Sequence, residues 1–210
     1  MASTARAQAA ADKRRLILDA AVRVFARQGF HQCRVSDIAD EAGVAYGLVY
    51  HYFSSKEQIL DTLFLERWDV LVSVIGEVAD REGLHPRERL DQIASFIVDS
   101  YRHDPELMQV IIVEVTRAAN SFGRTHLDKI AEAYALIAEI VRKAQADGSF
   151  RDSVTPQFAA MAFYGAIEQV LTGWIFGLLA QEDRDYERAK RFVVGTICDG
   201  LEAHASEPSA

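Results

Sequence analysis

Apolar residues recur along this chain at steps of three and four positions, which is the spacing of amphipathic helices. The segment 12–28 shows this pattern clearly. Its apolar stripe consists of Leu16, Ile17, Ala20, Ala21, Val24 and Phe25. Gly29 follows and supplies the left-handed residue with which many helices end. The alternation typical of strands is hard to find, so the pattern predicts an all-α fold.

Caps and helix breakers divide the chain into about nine helices. Ser36 is a candidate cap for the second helix, and Ser54 and Glu57 have the S-x-x-E spacing of a capping box that begins the fourth. Three prolines at positions 86, 105 and 156 suit the first turn of a helix, and Asp104 and Thr155 before two of them are good caps. The predicted helices cover 12–28, 37–42, 45–52, 54 to beyond 71, 86–102, 105–118, 122–146, 156–180 and 184–203.

Charge separates a basic N-terminal part from an acidic remainder. Residues 1–56 contain 8 Lys/Arg and 5 Asp/Glu, which gives a charge of +3. Residues 57–210 contain 15 Lys/Arg and 26 Asp/Glu, which gives −11, so the whole chain has a net charge of −8. Such an asymmetry allows one end to bind DNA while the remainder repels phosphates and orients the approach. We therefore expect a disordered arm at 1–11, a DNA-binding domain at 12–56, a separate acidic domain at 57–204 and a flexible tail at 205–210.

The segment 35–53, VSDIADEAGVAYGLVYHYF, has the layout of a helix-turn-helix. Ile38 and Ala39 face inward from its first helix, Gly43 makes the turn, and Val44 and Val49 anchor the second helix. The remaining side chains of the second helix then face outward, and the start of the next helix adds the ammonium group of Lys56 to them. These residues are Ala45, Tyr46, Gly47, Leu48, Tyr50, His51 and Lys56. They combine groups that reach phosphates with small residues that permit close approach to DNA.

From Arg14 to about Phe64, the sequence resembles the TetR family of one-component bacterial repressors. The resemblance rests on a first helix ending in QGF, on the core DIADEAGVAYGLVYHYF and on the SSKEQIL start of the fourth helix. It implies that the first three helices bind DNA as part of a homodimer and that residues 57–204 form a ligand-binding and dimerisation domain for a small effector. Beyond Phe64 the agreement extends only to the number and length of the helices.

The resemblance also implies individual DNA contacts. Tyr46, Gly47 and Leu48 match positions that face base edges, and Ala45 lies beside them at the helix start. Tyr50, His51 and Lys56 match phosphate contacts. Further backbone contacts are expected from Arg34, Ser36, Lys13, Arg14 and Arg15. Many relatives have a lysine or another polar residue in place of Tyr46 and a Thr or Asn in place of Leu48, so we expect readout weighted to apolar and shape contacts.

The last two predicted helices are the candidate dimer interface. Between Asp152 and Glu182 the only charge is Glu168, and a helix that is apolar nearly all round is buried on several sides. Three glycines, Gly165, Gly173 and Gly177, would allow helices to cross closely. A core within one chain is the alternative explanation. No uncharged run reaches about 18 residues, so we expect no membrane span.

An effector pocket is expected among helices four to eight, where few charges favour an apolar or amphipathic ligand. The candidates are Trp68, Phe96, Tyr101, Met108, Ile112, Phe122, Tyr134, Ile137, Phe163, Tyr164 and Trp174, each of which also suits plain core. Residues 50–68 and the segment VEVTRAANSF resemble TetR-type regulators of fatty-acid metabolism that sense long-chain acyl-coenzyme A (acyl-CoA). That resemblance implies a phosphate contact by Arg117 or Arg124. A drug-sensing repressor of an efflux gene is the alternative.

Catalysis is not indicated. The sequence contains no GxSxG, HExxH, phosphate-loop or Rossmann pattern, and its six histidines are scattered. The two cysteines, Cys33 and Cys198, lie outside any CxxC spacing, so we expect no disulfide framework, metal site or cofactor. The N-terminus lacks the apolar core of a secretory signal, which favours a cytoplasmic protein. An architectural DNA-binding protein without an effector stays open as a third class.

Overall fold

A computed structural model describes the backbone of residues 2–114 and 124–201, and the side chains of residues 6–113 and 125–201. Within these ranges the regular structure is helical and no strand occurs, which confirms the all-α prediction. The helices are α1 (Ala2–Gln28), α2 (Val35–Ala42), α3 (Tyr46–Tyr52), α4 (Lys56–Asp80), α5 (Pro86–His103), α6 (Pro105–Gln109), a π-helical turn (Val110–Glu114), α7 (Arg124–Ala146), α8 (Pro156–Ile175) and α9 (Asp183–Leu201).

The chain divides into two compact units. The first comprises residues 1–67 and 104–122, and the second comprises residues 68–103 and 123–210. In the first unit α1 packs on α2, and the side chains of Ile17, Phe25, Ile38 and Val49 are fully buried. α6 also belongs to this unit, where Gln109 donates a hydrogen bond to the carbonyl of Ala26 at 3.3 Å.

The N-terminal segment differs from the sequence-based expectation. Residues 2–11, predicted as part of a disordered arm, continue α1 as helix. Alanine has the highest helix propensity, and this segment is rich in alanine. A hydrogen bond of 2.8 Å between the side chains of Gln8 and Asp12 adds an i,i+4 contact. Residues 6–13 are all exposed, so this part of α1 is helical without burying an apolar face.

The residues that cap the starts of α2 and α4 also differ from those predicted. α2 begins at Val35 because the carboxylate of Asp37 accepts a hydrogen bond from the backbone N–H of Arg34 at 2.7 Å, so Ser36 lies within the first turn and is not the cap. In α4 the capping pair is Ser55 and Gln58, one position after the predicted Ser54 and Glu57. The hydroxyl of Ser55 accepts from the N–H of Gln58 at 3.2 Å, and the amide oxygen of Gln58 accepts from the N–H of Ser54 at 2.6 Å.

The second unit is a bundle of α5, α7, α8 and α9 with the later part of α4. Three ion pairs join α5 to α9, namely Arg87–Asp199 at 2.7 Å, Asp99–Lys190 at 2.6 Å and Arg102–Asp183 at 2.8 Å. The predicted caps Asp104 and Thr155 are confirmed. The carboxylate of Asp104 accepts a hydrogen bond from the N–H of Leu107 at 3.0 Å, and the hydroxyl of Thr155 accepts one from the N–H of Phe158 at 3.3 Å. None of the described helices combines the length and the apolar character that crossing a bilayer requires.

Several predicted helix ends are corrected by the structure. α8 ends at Ile175 instead of residue 180, because Gly177 adopts a left-handed φ of +66° and the N–H groups of Leu178 and Leu179 turn back to the carbonyl of Gly173. After Gln109, α6 gives way to the π-helical turn, while the predicted continuation to residue 118 lies outside the described residues. α7 begins at Arg124, and Phe122 and Gly123 also lie outside them.

Candidate nucleic-acid interface

The α2–α3 corner buries one side of α3 and leaves the other exposed. Gly43 adopts a left-handed φ of +64°, and the N–H of Val44 donates to the carbonyl of Ala39 at 3.0 Å. Ile38 and Val49 are fully buried, as predicted for the inward-facing positions. The sharp turn therefore fixes α3 with its opposite face toward solvent, which is the arrangement of a helix-turn-helix.

Two tyrosines dominate the exposed face of α3. Tyr46 is 53% exposed and Tyr50 is 45% exposed, their hydroxyls are hydrogen-bonded at 3.2 Å, and their rings meet edge to face with centroids 5.0 Å apart. The hydrogen bond with Tyr46 raises the pKa of Tyr50, so Tyr50 is a neutral hydroxyl at physiological pH. A neutral phenol can donate a hydrogen bond to a phosphate oxygen.

The other predicted α3 positions surround this pair. Ala45, Gly47 and His51 are exposed, and Leu48 is half-buried. A Cβ atom built on Gly47 would meet nothing within 4 Å, so the backbone of α3 is open to close approach at this point. The face therefore presents two hydroxyls, an imidazole and a bare stretch of backbone.

A groove of about 570 Å³ lies beside this face and gathers five of the nine predicted contact residues. It is lined by Cys33, Arg34, Val35, Ser36, Tyr46, Tyr50, Ser55, Lys56 and Glu57. Arg34 and Ser36 at the start of α2 thus share one surface with the two tyrosines. Glu57, which the S-x-x-E spacing predicts only as a helix cap, also lines this groove, and its position directly after Lys56 was a signal that it would share this surface.

Lys56 has a different geometry from that of a free phosphate-binding lysine. Its ammonium donates to the backbone carbonyls of Phe30, His31 and Cys33 at 2.8, 3.3 and 3.0 Å. It also lies 4.7 Å from the ring centroid of Phe30. Lys56 therefore borders the groove while its charged end points into the loop between α1 and α2.

A charged fork braces α2 against α1. Arg23 and Arg27 donate to the two carboxylate oxygens of Glu41 at 2.7 and 3.0 Å. These hydrogen bonds hold the pKa of Glu41 below its ordinary value. The brace fixes the orientation of α2, and hence of the corner that presents α3.

Two of the three α1 cations considered for DNA contact already have carboxylate partners. Arg14 pairs with Glu66 at 2.7 Å and Arg15 with Asp19 at 2.9 Å. Arg14 also lies 5.6 Å from the ring centroid of Phe53. A phosphate contact by either arginine would have to compete with these pairs.

The last two helices and the turn between them expose large apolar side chains, which we call the exposed apolar set: Phe158, Met161, Phe176, Leu178, Leu179 and Phe192. Phe158, Met161 and Gly165 share one face of α8 by their spacing. A Cβ on Gly165 would meet nothing within 4 Å, whereas one on Gly173 would lie 2.7 Å from a methyl of Leu179. Gly173 therefore makes room for the turn after α8, and Gly177 forms that turn, so neither supports helix crossing as predicted.

Comparison with known proteins decides the family. The profile described as bacterial regulatory proteins, tetR family, matches residues 17–63, and the profile described as Tetracyclin repressor-like, C-terminal domain, matches residues 86–197. The chain belongs to the TetR family. It is accordingly a helix-turn-helix transcriptional regulator, and the first match coincides with the corner described above.

Among TetR-family proteins, this chain is similar to regulators of fatty-acid metabolism. It is 32% identical over 160 residues to the fatty acid metabolism regulator protein of Bacillus subtilis, covering 76% of this chain and 81% of that protein. The fatty acid degradation regulator FadR of Bacillus halodurans superposes with a TM-score of 0.76 at 27% identity, over 89% of this chain and 94% of the other. FadR from Bacillus subtilis in complex with stearoyl-CoA superposes with a TM-score of 0.75 at 26% identity, over 89% and 98%.

The candidate effector residues of this TetR-family chain do not form one group. In the second unit, Tyr164 lies between Trp68 and Tyr134, with ring centroids 5.8 and 5.4 Å away. Glu168, one turn after Tyr164, is half-buried, and burial raises its pKa. Burial and the nearby Glu168 carboxylate raise the pKa of Tyr134. We call Trp68, Tyr134, Tyr164 and Glu168 the aromatic–carboxyl cluster.

A second aromatic cluster in the same unit has a packing role. Tyr101 stacks on Trp174 with centroids 5.6 Å apart, Trp174 meets Tyr186 at 4.9 Å, and Gln181 donates to both tyrosine hydroxyls. These interactions hold the turn after α8 against α5 and α9.

The remaining candidates are scattered. Phe163 and Ile137 are buried core residues, and Phe96 is half-buried. Met108 and Ile112 belong to the first unit. Arg117, Phe122 and the side chain of Arg124 lie outside the described residues.

Proposed function

We propose that this protein is a homodimeric repressor that binds a palindromic operator through the exposed face of α3 and is released by a long-chain acyl-CoA. The observation that carries the proposal is the α3 face itself, where Tyr46, Gly47 and Tyr50 are exposed on a helix fixed by a buried corner. A pair of aromatic residues exposed on one helix face is typical of an interaction surface. Arg34 and Ser36 supply further groups for phosphates along the same groove.

Dimerisation follows from the needs of operator binding and from the exposed apolar set. One helix-turn-helix makes few phosphate contacts, so such modules bind two half-sites about 34 Å apart as two-fold dimers. Phe158 and Met161 on α8 and Phe192 on α9 would be buried by a second copy of the same helices. An obligate homodimer interface is expected to be more apolar than ordinary surface.

The effector proposal rests on the aromatic–carboxyl cluster and on the relatives. The complex of the Bacillus subtilis FadR contains stearoyl-CoA, and an acyl chain is an apolar ligand of the kind that Trp68 and Tyr164 would contact. The runner-up is a lipophilic cationic drug, because a carboxyl such as that of Glu168 among aromatic rings suits a cation. Both effectors would act through α4, which begins in the first unit and continues into the second, by changing the separation of the two α3 helices.

This function involves no chemical step, and we propose a cytoplasmic protein without enzymatic activity. The named relatives are regulators. Within the described residues, no group of His, Cys, Asp and Glu side chains has an arrangement that could hold a metal ion.

The effector proposal is tested by tryptophan fluorescence. The chain has two tryptophans, so Trp174→Phe leaves Trp68, a member of the aromatic–carboxyl cluster, as the only tryptophan. We expect a saturable change of Trp68 emission with stearoyl-CoA and none with free CoA. The matched Trp68→Phe variant, which retains Trp174 in the packing cluster, should respond much less.

The same titration separates the two effector classes. A response to a lipophilic cation that is lost in Glu168→Gln, together with no response to stearoyl-CoA, would overturn the acyl-CoA proposal in favour of the drug sensor. Under the acyl-CoA proposal Glu168→Gln retains binding, because an acyl chain carries no charge for the carboxyl to pair with.

A further inference from the structure

We infer that Lys56 is a positioning residue that fastens the loop between α1 and α2 to the first turn of α4, instead of a ligand for a DNA phosphate. The inference rests on the proposed DNA-binding face and assigns a different role to one of its expected contacts. Its basis is the full set of contacts made by the Lys56 ammonium.

Every proton of that ammonium has an acceptor within the protein. A protonated lysine carries three N–H donors and no acceptor. The carbonyls of Phe30, His31 and Cys33 lie 2.8, 3.3 and 3.0 Å from Nζ, and the Phe30 ring adds a cation–π contact at 4.7 Å. A phosphate contact would require at least one of these hydrogen bonds to break.

The loop that Lys56 binds is also tied to α1. The N–H of Gly29 donates to the carbonyl of Phe25 in α1 at 2.8 Å. Within the loop, the N–H of Cys33 donates to the carbonyl of Gly29 at 3.3 Å, and its thiol donates to the carbonyl of Phe30 at 3.2 Å. The Phe30 ring packs edge to face on Phe25, with centroids 5.4 Å apart. Lys56 thus links this loop to α4.

The same loop leads directly into the groups proposed to meet phosphates. Arg34 follows Cys33, and Ser36 lies in the first turn of α2. The Lys56 ammonium therefore connects the start of α4 to the residue that directly precedes Arg34. This connection gives an effector that moves α4 a direct route to one edge of the DNA-binding surface.

The position of Lys56 at the start of α4 also supports a positioning role. Ser55 caps α4, so Lys56 is its first residue, where the helix dipole disfavours a positive charge. The three carbonyl oxygens offset this unfavourable location. A lysine retained there by internal acceptors contributes to local order in the absence of DNA.

Salt dependence of operator binding distinguishes positioning from contact. Each phosphate contact contributes about 0.9 to the slope of log affinity against log salt. For Lys56→Met we expect about tenfold weaker operator binding with an unchanged slope, together with a lower thermal midpoint of the DNA-free protein. For Arg34→Met we expect the slope to fall by about 0.9 per protomer with an unchanged midpoint. Lys13→Met, an exposed charge removal in the same unit, serves as the control for the thermal midpoint.

A fall of about 0.9 per protomer in the slope of Lys56→Met, with an unchanged thermal midpoint, would overturn the inference. An NMR measurement on the unmodified protein keeps the test open if that variant does not fold. We expect a hydrogen-bonded ¹⁵Nζ ammonium signal, assigned with Lys56→Arg, in the free protein and again in the operator complex. Its appearance only in the complex would contradict positioning.

These experiments also separate the inference from the proposed function. Failure of the unmodified protein to bind its operator at low salt would remove the proposed function. The thermal midpoint of Lys56→Met and the ammonium signal of the free protein would still decide the role of Lys56.

Discussion

Tyr46 and Tyr50 lie one turn apart on the exposed face of α3, with their hydroxyl oxygens 3.2 Å apart. Because each hydroxyl has the other as a partner and the rings are in edge-to-face contact, each side chain restricts the rotamer of the other. The residue expected to face base edges and the residue expected to face a phosphate are therefore a coupled pair. Binding of one to DNA is expected to orient the other.

The first prediction concerns this pair. Tyr50→Phe removes one hydroxyl and should weaken binding to all duplexes by about three- to tenfold, the value of one hydrogen bond. Tyr46→Ala should change the order of preference among operators with single base changes, since it removes the base-facing ring. Anisotropy titrations with a set of substituted operators measure both. Equal losses on every duplex with Tyr46→Ala would contradict base contact by this residue.

The second prediction concerns Gly47. A Cβ there meets nothing within 4 Å, and alanine favours a helix over glycine by about 1 kcal/mol, so Gly47→Ala should not lower the thermal midpoint. Operator binding should nevertheless weaken, because the methyl group separates the α3 backbone from DNA. Gly76→Ala in α4 has the same open surroundings and is the matched control. Unchanged operator affinity in Gly47→Ala would show that the backbone does not approach DNA at this turn.

The third prediction concerns the Glu41 brace. Hydrogen bonds from Arg23 and Arg27 lower the pKa of Glu41 in the folded protein. The brace therefore contributes its full stabilisation at pH values above the pKa of a glutamate in the unfolded chain, about 4.3. This stabilisation is lost as the pH falls through the lower pKa of the folded state. Urea unfolding at several pH values should therefore find Glu41→Gln less stable than the unmodified protein at pH 7 and equally stable at strongly acidic pH. Glu82→Gln, an exposed position in the turn before α5, is the control, and an identical pH profile for both variants would contradict the brace.

The fourth prediction concerns the exposed apolar set. Phe192→Asp should convert the proposed dimer to a monomer in light scattering, because a charge cannot be buried at an apolar interface without a partner. Leu127→Asp on α7 changes an equally exposed leucine outside the set and should leave the dimer intact. A Phe192→Asp protein that remains dimeric would place the interface elsewhere.

The features that sequence could predict are those fixed by local chemistry. The turn at Gly43 and the caps Asp104 and Thr155 depend on side chains within three residues of their partners, and all are found. The α4 cap was predicted one residue early because both Ser54 and Ser55 are followed at the right distance by a possible capping partner. Only the geometry distinguishes Ser55 with Gln58 from the alternative.

Long-range contacts were beyond the reach of the sequence pattern. Gly173 was predicted to serve a helix crossing, but it makes room for Leu179 in a turn that ends α8 early. The contacts of Lys56 with the loop between α1 and α2 are likewise absent from the sequence pattern, because its acceptors lie 23 to 26 residues earlier in the chain. Five of the aromatic effector candidates lie in two separate clusters, because residues of similar spacing face different neighbours.

The most direct test of the account is a fluorescence anisotropy titration of the protein against the DNA that flanks its own gene, with and without stearoyl-CoA. We expect binding at low salt, competition by a duplex of the same operator but not by a scrambled one, and release by stearoyl-CoA but not by free CoA. Sequence-specific binding that stearoyl-CoA leaves unchanged would contradict the effector assignment, and no specific binding would contradict the DNA-binding role of α3.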